Sequence, residues 1–363
     1  MSDATATKSD NLPRRYALAD LESFSRNALL AVGADQDTAE AATRAMMHAT
    51  RVGIDSHGIR FLPHYAEILA EGRVNPRPKM TITRRFPVTA TLDADYGHGA
   101  LATYRAMDHA VDLAERNGIG TVGIVRSSHF GSGGAYAVAA AERGYVGLAM
   151  CNTDSFVRLH DGASRFHGTN PISCAIPNPG EKPWLLDMAT SSIPRNRVVL
   201  YQSLRRELPP GVGSTADGED TTDPAQVEML APLGGIFGFK GAALAGLIEI
   251  FSAVLTGMQL SFELAPMFEE LDKTREMGAF VMALRPDAFV SRETFADGMH
   301  RYIDALRSSL ARKGRQVMAP GDREWAEAKT RQASGAPLDP ETLQAFEALA
   351  ERYGLKLPSA LDG

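Results

Sequence analysis

The sequence predicts an α/β protein in which helices from both chain ends flank a mixed α/β centre. Apolar residues recur at helical spacing over residues 17–71, and short β-rich runs alternate with helical stretches over residues 81–188. The pattern near the C-terminus is again mostly helical. We therefore expect three parts: a mobile tail over residues 1–15, a helical subdomain from 16–75 and 285–363, and an α/β domain over 76–284.

The spacing of apolar residues predicts two helices within residues 17–52, separated at Gly33. The apolar residues of the first helix are Leu18, Leu21, Phe24 and Leu29. A third helix follows the run DSHG and ends near Gly72. Further helices are expected over residues 99–117, 134–143 and 194–207.

Strands are expected where β-branched and apolar residues cluster in short runs bounded by turn residues. The expected strands cover residues 81–83, 88–92, 121–125, 146–150, 172–176, 184–188 and 279–284. The stretch 209–224 is rich in Gly, Pro, Asp and Thr, and we expect it to be an exposed loop.

The composition excludes several classes of protein. The 363 residues carry a net charge of −6 without a cluster of Lys and Arg, so we expect no nucleic-acid partner. The most apolar run, 242–258, contains Glu249 and is too short to span a bilayer comfortably, so we expect a buried helix and no membrane contact. The two cysteines lack metal-ligand spacing, and the N-terminal residues lack the apolar core of a signal peptide. We therefore expect a cytoplasmic protein without a metal site.

The run Asp55-Ser56-His57-Gly58 places a hydroxyl and an imidazole at the start of an expected helix, with Arg60 close behind. Histidine exchanges protons near neutral pH more readily than other side chains, which makes His57 a candidate acid or base. A plain helix cap, in which Asp55 or Ser56 accepts from the first amides of the helix, explains the same residues. The run alone leaves both interpretations open.

Glycine-rich segments at helix starts are candidate anion sites, because helix amides point out of the first turn. The literal G-x-G-x-x-G at 118–123 is rejected, since a helix precedes it and a strand follows it. Residues 127–134 have the right order, strand then helix, but Tyr136 replaces the third glycine. The segment 234–241 places Lys240 at a helix start, where a bound anion would offset its charge. The simpler interpretations are an ordinary tight turn for residues 127–134 and a solvated lysine for Lys240.

Asp187 is a carboxylate inside an apolar, strand-like run. Burying an unpaired carboxylate is costly, so we expect it to have a partner, either a structural amide or a histidine. In the second case, catalytic groups would come from widely separated parts of the chain.

Taken in order, several segments resemble the malate/L-lactate dehydrogenase family of NAD(P)-dependent 2-oxoacid oxidoreductases. They are DSHGIRFLPHY, SSHFGSGGAYA, HGTNPISCAIP, LLDMATS, TTDPAQ, the glycine-lysine turn at 234–241 and APGDRE at 319–324. The family includes ureidoglycolate and sulfolactate dehydrogenases, diketogulonate reductase and piperideine/pyrroline-2-carboxylate reductases. The resemblance implies an unusual, non-Rossmann α/β fold that binds cofactor and substrate over residues 76–284. It also implies a homodimer, NADP or NAD as the cofactor, and a small carboxylic acid as the substrate.

The resemblance further implies roles for particular residues. His57 matches the proton donor to the substrate, and Ser56 and Asp187 match the positions that form a relay with it. Tyr65 and Thr169 match substrate contacts. The matched cofactor contacts are His129, Phe130, Gly131, Ser132, Gly133, Phe239, Lys240, Pro320, Gly321, Asp322, Arg323 and Glu324.

The chain departs from the family pattern at two positions. The family usually has a substrate-binding arginine four residues after the active histidine, but here that residue is Phe61 and Arg60 comes one position earlier. On a helix this moves the guanidinium by about 100° around the axis. Either local geometry compensates, so that Arg60 clamps the substrate carboxylate, or the acid group is held differently, or the substrate differs. Phe239 stands where the family often has a histidine before Lys240.

The expected reaction is hydride transfer to C2 of a 2-oxo acid, with His57 donating a proton to the oxygen. Reduction of a cyclic imino acid by NADPH is the alternative within the family. A Ser-His-Asp hydrolase is a remote alternative, because no G-x-S-x-G elbow surrounds Ser56 and adjacent Ser and His side chains are expected to point in different directions. A non-catalytic binding protein on the same fold is a further alternative.

Overall fold

The computed structural model describes residues 14–361, which form α-helices and three β-sheets. The helices are α1 (Leu18–Ala31), α2 (Gln36–Arg51), α3 (Leu62–Ala70), α4 (Gly99–Asn117), α5 (Gly134–Ala141), α6 (Arg195–Ser203), α7 (Phe239–Glu249), α8 (Arg292–Arg307), α9 (Asp322–Ser334) and α10 (Pro340–Tyr353). The strands are β1 (Arg15–Tyr16), β2 (Thr81–Phe86), β3 (Thr89–Asp93), β4 (Ile119–Ser127), β5 (Val146–Cys151), β6 (Val157–Arg158), β7 (Arg165–His167), β8 (Ile172–Ile176), β9 (Trp184–Met188), β10 (Gly213–Ser214), β11 (Met229–Leu230), β12 (Met277–Leu284) and β13 (Ala336–Pro337). Of the expected tail, residues 1–13 lie outside the described part of the chain, and Arg15 belongs to β1.

A seven-stranded sheet in the order β2-β3-β4-β12-β5-β8-β9 forms the centre. The neighbours β3 and β4 are parallel and joined by α4, while the other neighbours are antiparallel. Strand β12 lies in the middle, where Val281 pairs with Val122 of β4 on one side and with Ala149 of β5 on the other. This mixed sheet confirms the predicted α/β class, and it differs from the mostly parallel sheet of a Rossmann domain.

The literal G-x-G-x-x-G segment serves packing, in agreement with its helix-then-strand context. Gly118 follows α4 with φ +84°, a left-handed conformation that favours glycine at a helix end. A Cβ on Gly120 would lie 2.1 Å from the carbonyl oxygen of Ala110. Strand β4 therefore approaches α4 closely only because glycine stands there.

Both ends of the described chain pack together. Helix α1 lies against α10, where the ring centroids of Phe24 and Phe346 are 4.9 Å apart. Strand β1 pairs antiparallel with β13. Asp339 caps α10 by accepting from the amide of Thr342 at 3.0 Å. These contacts bring the last helices beside the first ones. The expected boundaries of the helical subdomain, 16–75 and 285–363, stay a prediction.

The stretch 209–224 is not the simple loop that its composition predicted. It contains β10, which pairs with β11 in a four-stranded sheet of order β10-β11-β6-β7. Ser214 in β10 is fully buried. Strands of two residues leave no periodicity in the sequence, so only their pairing partners define them.

The expectation of a buried helix over residues 242–258 is wrong in the bounds of the helix and in its burial. Helix α7 begins earlier, at Phe239, and after Glu249 it continues as a π-helical turn, Ile250–Val254. One side of this segment is exposed and apolar, and we call it the α7 apolar face. It consists of Leu247, Ile250, Val254 and Leu255, which are 46% to 65% exposed. Within residues 14–361, no helix is both long and apolar enough to cross a membrane.

His98 links the stability of the fold to pH. Its Nδ1 accepts from the amide of Ala100 at 3.1 Å and caps α4, and burial lowers its pKa to about 3. Because an unfolded histidine titrates near 6.5, protonation below that pH favours the unfolded state. We expect the free energy of unfolding to fall between about pH 7 and pH 5, and His98→Asn, which keeps a capping group but does not ionise, to reduce this fall by up to about 2 kcal/mol. Urea denaturation at both pH values measures the effect, and an equal pH dependence in the two proteins would contradict it.

Candidate active site

His57 lies on a short turn between α2 and α3 rather than at the start of a helix. Two successive 3₁₀ turns, Asp55–His57 and Ile59–Phe61, precede α3. Gly58 between them has an extended backbone, which interrupts the helical path. The carboxylate of Asp55 does not cap a helix and instead binds an arginine from the other end of the chain.

Arg331 of α9 is this arginine, and it fixes the turn. Its almost fully buried guanidinium donates to both carboxylate oxygens of Asp55, at 2.5 and 2.9 Å, and to the carbonyl oxygen of Thr50 at 2.8 Å. The hydroxyl of Thr50 in turn accepts from the amide of Ile59 at 2.9 Å. The chain is therefore held on both sides of His57.

His57 lies beside Ser56 and among aromatic rings. Its Nδ1 is 3.0 Å from Ser56 Oγ, so the expectation that these two side chains point in different directions is wrong. The ring stacks on Phe61, with centroids 5.6 Å apart, and its centroid is 5.7 Å from that of His129. Burial lowers the pKa of His57, and the negative charge of Asp187 acts in the opposite direction.

Asp187, near the end of β9, accepts hydrogen bonds from three sides. Its Oδ2 accepts from Ser132 Oγ at 2.6 Å and from the amide of Gly134 at 3.1 Å. Its Oδ1 accepts from Ser173 Oγ at 2.5 Å. The expected partner is thus a structural amide together with two hydroxyls, and the charge of the carboxylate also reaches His57.

The glycine-rich loop before α5 surrounds a carboxylate of the protein itself. Asp187 occupies the N-terminal end of α5, where helix amides favour an anion and where the glycine-rich segment predicted an anion site. A Cβ on Gly133 would lie 2.3 Å from Ser173 Oγ, and one on Gly134 would lie 2.6 Å from Asp187 Oδ2. Close approach to β8 and β9 therefore explains these glycines. Residues 129–132 are buried beside them, and their contact with a cofactor stays a prediction.

Tyr65, a predicted substrate contact, belongs to the same cluster of rings. Its hydroxyl is 2.8 Å from His129 Nδ1, and its ring meets that of His98 edge-on at 4.4 Å. Burial, followed by the charge of His57, holds the pKa of His129 well below its usual range, so His129 is uncharged at neutral pH. The structure thus brings Tyr65 and His129 together with His57.

The other two predicted substrate contacts have different positions. Arg60 is exposed and pairs with Glu341 of α10 at 3.1 Å, so the structure does not place its guanidinium among the rings around His57. Phe61 lies among these rings instead, at the sequence position where the family usually has the substrate-binding arginine. Thr169 follows β7, and its carbonyl oxygen accepts from the amide of Thr190 at 2.9 Å, just beyond the end of β9.

Arg331 and Glu249 support the site but were not identified from the sequence. Glu249, at the end of α7, accepts from Asn170 Nδ2 at 2.8 Å and from the amide of Ser261 at 2.6 Å, and so ties α7 to the loop that carries Thr169. A lone acid in an apolar run was its signal, the same signal that marked Asp187. Arg331 has no such signal, because it is one of many charged residues on a helix with a polar face.

The predicted cofactor turn at 320–324 lies against β9. The carbonyl oxygen of Pro320 accepts from the amide of Leu185 at 3.2 Å, two residues before Asp187. Asp322 pairs with Arg307 of α8 at 2.7 Å. The turn therefore borders the strand that carries the carboxylate of the site.

A cavity of about 600 Å³ opens beside this turn, and Pro320 and Asp322 are among its lining residues. Both tryptophans, Trp184 and Trp325, also line it. Among the described residues, Trp184 Nε1 and Asn178 Oδ1 are buried here without hydrogen-bond partners. Two indole rings, one orphaned donor and one orphaned acceptor fit a planar group with polar edges, such as one end of a nicotinamide dinucleotide.

Lys240 lies in the first turn of α7, as the glycine-lysine turn predicted, and both Lys240 and Phe239, the first residue of the helix, are exposed. The ammonium of Lys240 lies 5.4 Å from the ring centroid of Phe237. Their contact with a cofactor stays a prediction.

Comparison with known proteins gives matches along nearly the whole chain. The sequence profile described as malate/L-lactate dehydrogenase matches residues 16–347. The malate dehydrogenase of Pyrococcus abyssi is 32% identical over 345 residues, which cover 93% of this chain and 94% of that protein.

Solved structures agree with this result. The malate dehydrogenase from Entamoeba histolytica matches with a TM-score of 0.90 at 26% identity, covering 96% of this chain and 100% of that one. The Δ1-piperideine-2-carboxylate reductase from Pseudomonas syringae pvar. tomato matches with a TM-score of 0.83 at 27% identity, covering 93% of this chain and 100% of that one.

Replacing Arg331 by methionine tests the clamp on the His57 turn. The variant removes the guanidinium that donates to Asp55 and to the carbonyl of Thr50, and we expect it to lower the free energy of unfolding by about 2 kcal/mol. Arg143→Met is the matched control, because the Arg143–Asp108 pair is exposed and should contribute less than about 0.5 kcal/mol. Urea denaturation measures both, and equally small losses would contradict the clamp.

Proposed function

Because this chain belongs to the malate/L-lactate dehydrogenase family, we propose that His57 exchanges the proton that accompanies hydride transfer between a nicotinamide dinucleotide and a small 2-oxo or 2-hydroxy acid. The chain is an oxidoreductase acting on small hydroxy acids, as its family and relatives are. The observation that carries the role of His57 is its contact with Ser56. With Nδ1 3.0 Å from that hydroxyl, Nε2 is the ring nitrogen that can meet a substrate oxygen.

In the reductive direction, C2 of the substrate gains a hydride and its carbonyl oxygen gains a proton. The nicotinamide, when bound, supplies the hydride and is oxidised. His57 donates the proton from Nε2 as an imidazolium and becomes neutral, and in the oxidative direction it takes the proton back. Ser56 orients the ring through Nδ1. The charge of Asp187 stabilises the imidazolium, which burial disfavours.

We place the cofactor along β9, between His57 and the cavity at the 320–324 turn. Strands rise about 3.3 Å per residue and alternate their side chains between faces, so Trp184 and Asp187 lie about 10 Å apart and on opposite faces of the edge strand β9. Residues 129–133 on one side and Pro320 to Glu324 on the other are the proposed contacts, with Phe239 and Lys240 as further ones. The two orphaned polar atoms of the cavity support this placement. The choice between NAD and NADP, and the cytoplasmic location, remain predictions.

Reduction of a cyclic imino acid is the second candidate, and the match to a piperideine-2-carboxylate reductase favours it. In this reaction the hydride goes to the carbon of the C=N bond and His57 protonates the nitrogen. The hydrolase alternative loses its support, because the matched family and relatives are oxidoreductases, although Ser56 does contact His57.

We also propose that the enzyme is a homodimer joined through the α7 apolar face. Exposed apolar groups that lie together usually mark an interaction surface. Ile236 and Phe237, just before α7, are 83% and 54% exposed and extend the same segment. A second copy of the chain is the occupant that the family resemblance implies.

The assay that tests the proposed function follows the absorbance of NADH and of NADPH with 2-oxo acids and cyclic imino acids as substrates. We expect His57→Gln to bind the nicotinamide cofactor like the wild type but to lose at least about a hundredfold in turnover. His300→Gln, at a half-buried histidine of α8 outside the ring cluster of His57, is the matched control and should keep full turnover. Full turnover in His57→Gln would contradict the proton-donor role.

The homodimer predicts the effect of a charge on the α7 apolar face. Val254 is 58% exposed in the single chain, and Val254→Glu would place a carboxylate in the proposed contact. We expect this variant to be a monomer in light scattering, because a buried unpaired carboxylate is costly. Leu310→Glu, at a fully exposed leucine, is the control and should remain a dimer. A dimer in both variants would place the interface elsewhere.

A further inference from the structure

Phe61 forms an aromatic wall beside the proposed proton donor. Its ring stacks on His57 at 5.6 Å with 18° between the planes, and on His129 at 5.2 Å with 25°. His64 meets the edge of Phe61 at 6.0 Å and packs against Phe268 at 4.9 Å. We call Phe61, His64 and Phe268 the Phe61 wall. A substrate that exchanges a proton with His57 must lie within hydrogen-bond reach of that ring, and therefore next to Phe61.

The Phe61 wall is uncharged at neutral pH. Burial, with the charges of Arg73 and Arg275, lowers the pKa of His64 to about 4. His129, whose ring centroid lies 5.2 Å from that of Phe61, is also neutral. Neither imidazole can therefore act as a counter-ion for a carboxylate at this surface.

Two of the three nearby arginines, Arg73 and Arg275, are engaged by other groups. Arg73 is buried and donates to main-chain carbonyls between residues 266 and 273, which fixes the loop that carries Phe268. Arg275 is buried and pairs with Asp154 at 2.6 Å. Arg195 lies over the ring of Phe268 at 5.9 Å. The positive field of Arg73 and Arg275 favours one acid group in this region, but their hydrogen bonds hold both guanidinium groups in place.

We propose that Phe61 selects substrates that have a single carboxylate and an uncharged, apolar tail. This inference rests on the proposed function and names its substrate class: monocarboxylic 2-oxo or 2-hydroxy acids, or cyclic imino acids with an apolar ring. A second acid group against Phe61 would lose its water without gaining a counter-ion or hydrogen bond from the Phe61 wall, Arg73 or Arg275. An aliphatic or aromatic tail gains from burial against the same ring.

The wild-type enzyme gives the first test. It is assayed with NADH and NADPH against 4-methyl-2-oxopentanoate and phenylpyruvate, which have apolar tails, and against oxaloacetate and 2-oxoglutarate, which have acidic tails. Piperideine-2-carboxylate represents the cyclic imino acids. We expect kcat/KM for at least one apolar substrate to exceed that for both acidic ones by at least about tenfold. A higher kcat/KM for an acidic tail would overturn the role of Phe61.

Variants of Phe61 give the second test. Phe61→Arg places a guanidinium beside His57, and we expect it to shift the kcat/KM ratio toward oxaloacetate by about a hundredfold or more. Phe61→Leu is the matched control, because it keeps an apolar wall and should keep the preference. If Phe61→Arg does not fold, as judged by its thermal melt, Phe61→Gln replaces it, with an expected shift of about tenfold. An unchanged ratio in the folded polar variant overturns the proposal.

The outcomes separate this inference from the function on which it rests. If no acid or imine in the panel is turned over although nicotinamide binds, the proposed function fails. If the acids are turned over with a preference for acidic tails, the function stands and only the selectivity assigned to Phe61 fails.

Discussion

The contact of the almost fully buried Arg331 with Asp55 and Thr50 fixes the turn on which the whole site depends. A 3₁₀ turn of three residues has few hydrogen bonds of its own, so the position of His57 must be set by neighbouring groups. Because Arg331 is almost fully buried, its charge needs these partners to remain in place. Helix α9 begins within the 320–324 turn, so one helix connects the proposed cofactor contacts to the proposed proton donor.

Asp187 organises the other half of the site. Its bonds to Ser132, Ser173 and the amide of Gly134 join β9, β8 and the start of α5 around one carboxylate. The glycines of that loop are needed because the chain passes so close to these oxygens. The negative charge of Asp187 also opposes the effect of burial on the pKa of His57. One carboxylate therefore both joins these elements and tunes the proposed proton donor.

The sequence predicted the long, periodic elements well. Helix α4 and strands β8 and β9 have the expected bounds, because apolar spacing and turn residues define them locally. The DSHG run and Asp187 also marked the site, because a histidine beside a serine and a glycine, and a lone acid in an apolar run, are both visible in a few neighbouring residues. The path of the DSHG turn, the clamp by Arg331 and the outward course of Arg60 depend on contacts hundreds of residues apart in the chain, which no local pattern records.

The most direct test asks whether Asp187 tunes a proton-exchanging His57. Nuclear magnetic resonance of the protein with nitrogen-15-labelled histidine follows the titration of each ring, and His57→Gln identifies the signal of His57. We predict a pKa below 6.5 in the wild type and a still lower pKa in Asp187→Asn, because burial remains while the opposing negative charge is lost. A pKa of His57 that does not change when Asp187 is replaced would contradict this coupling.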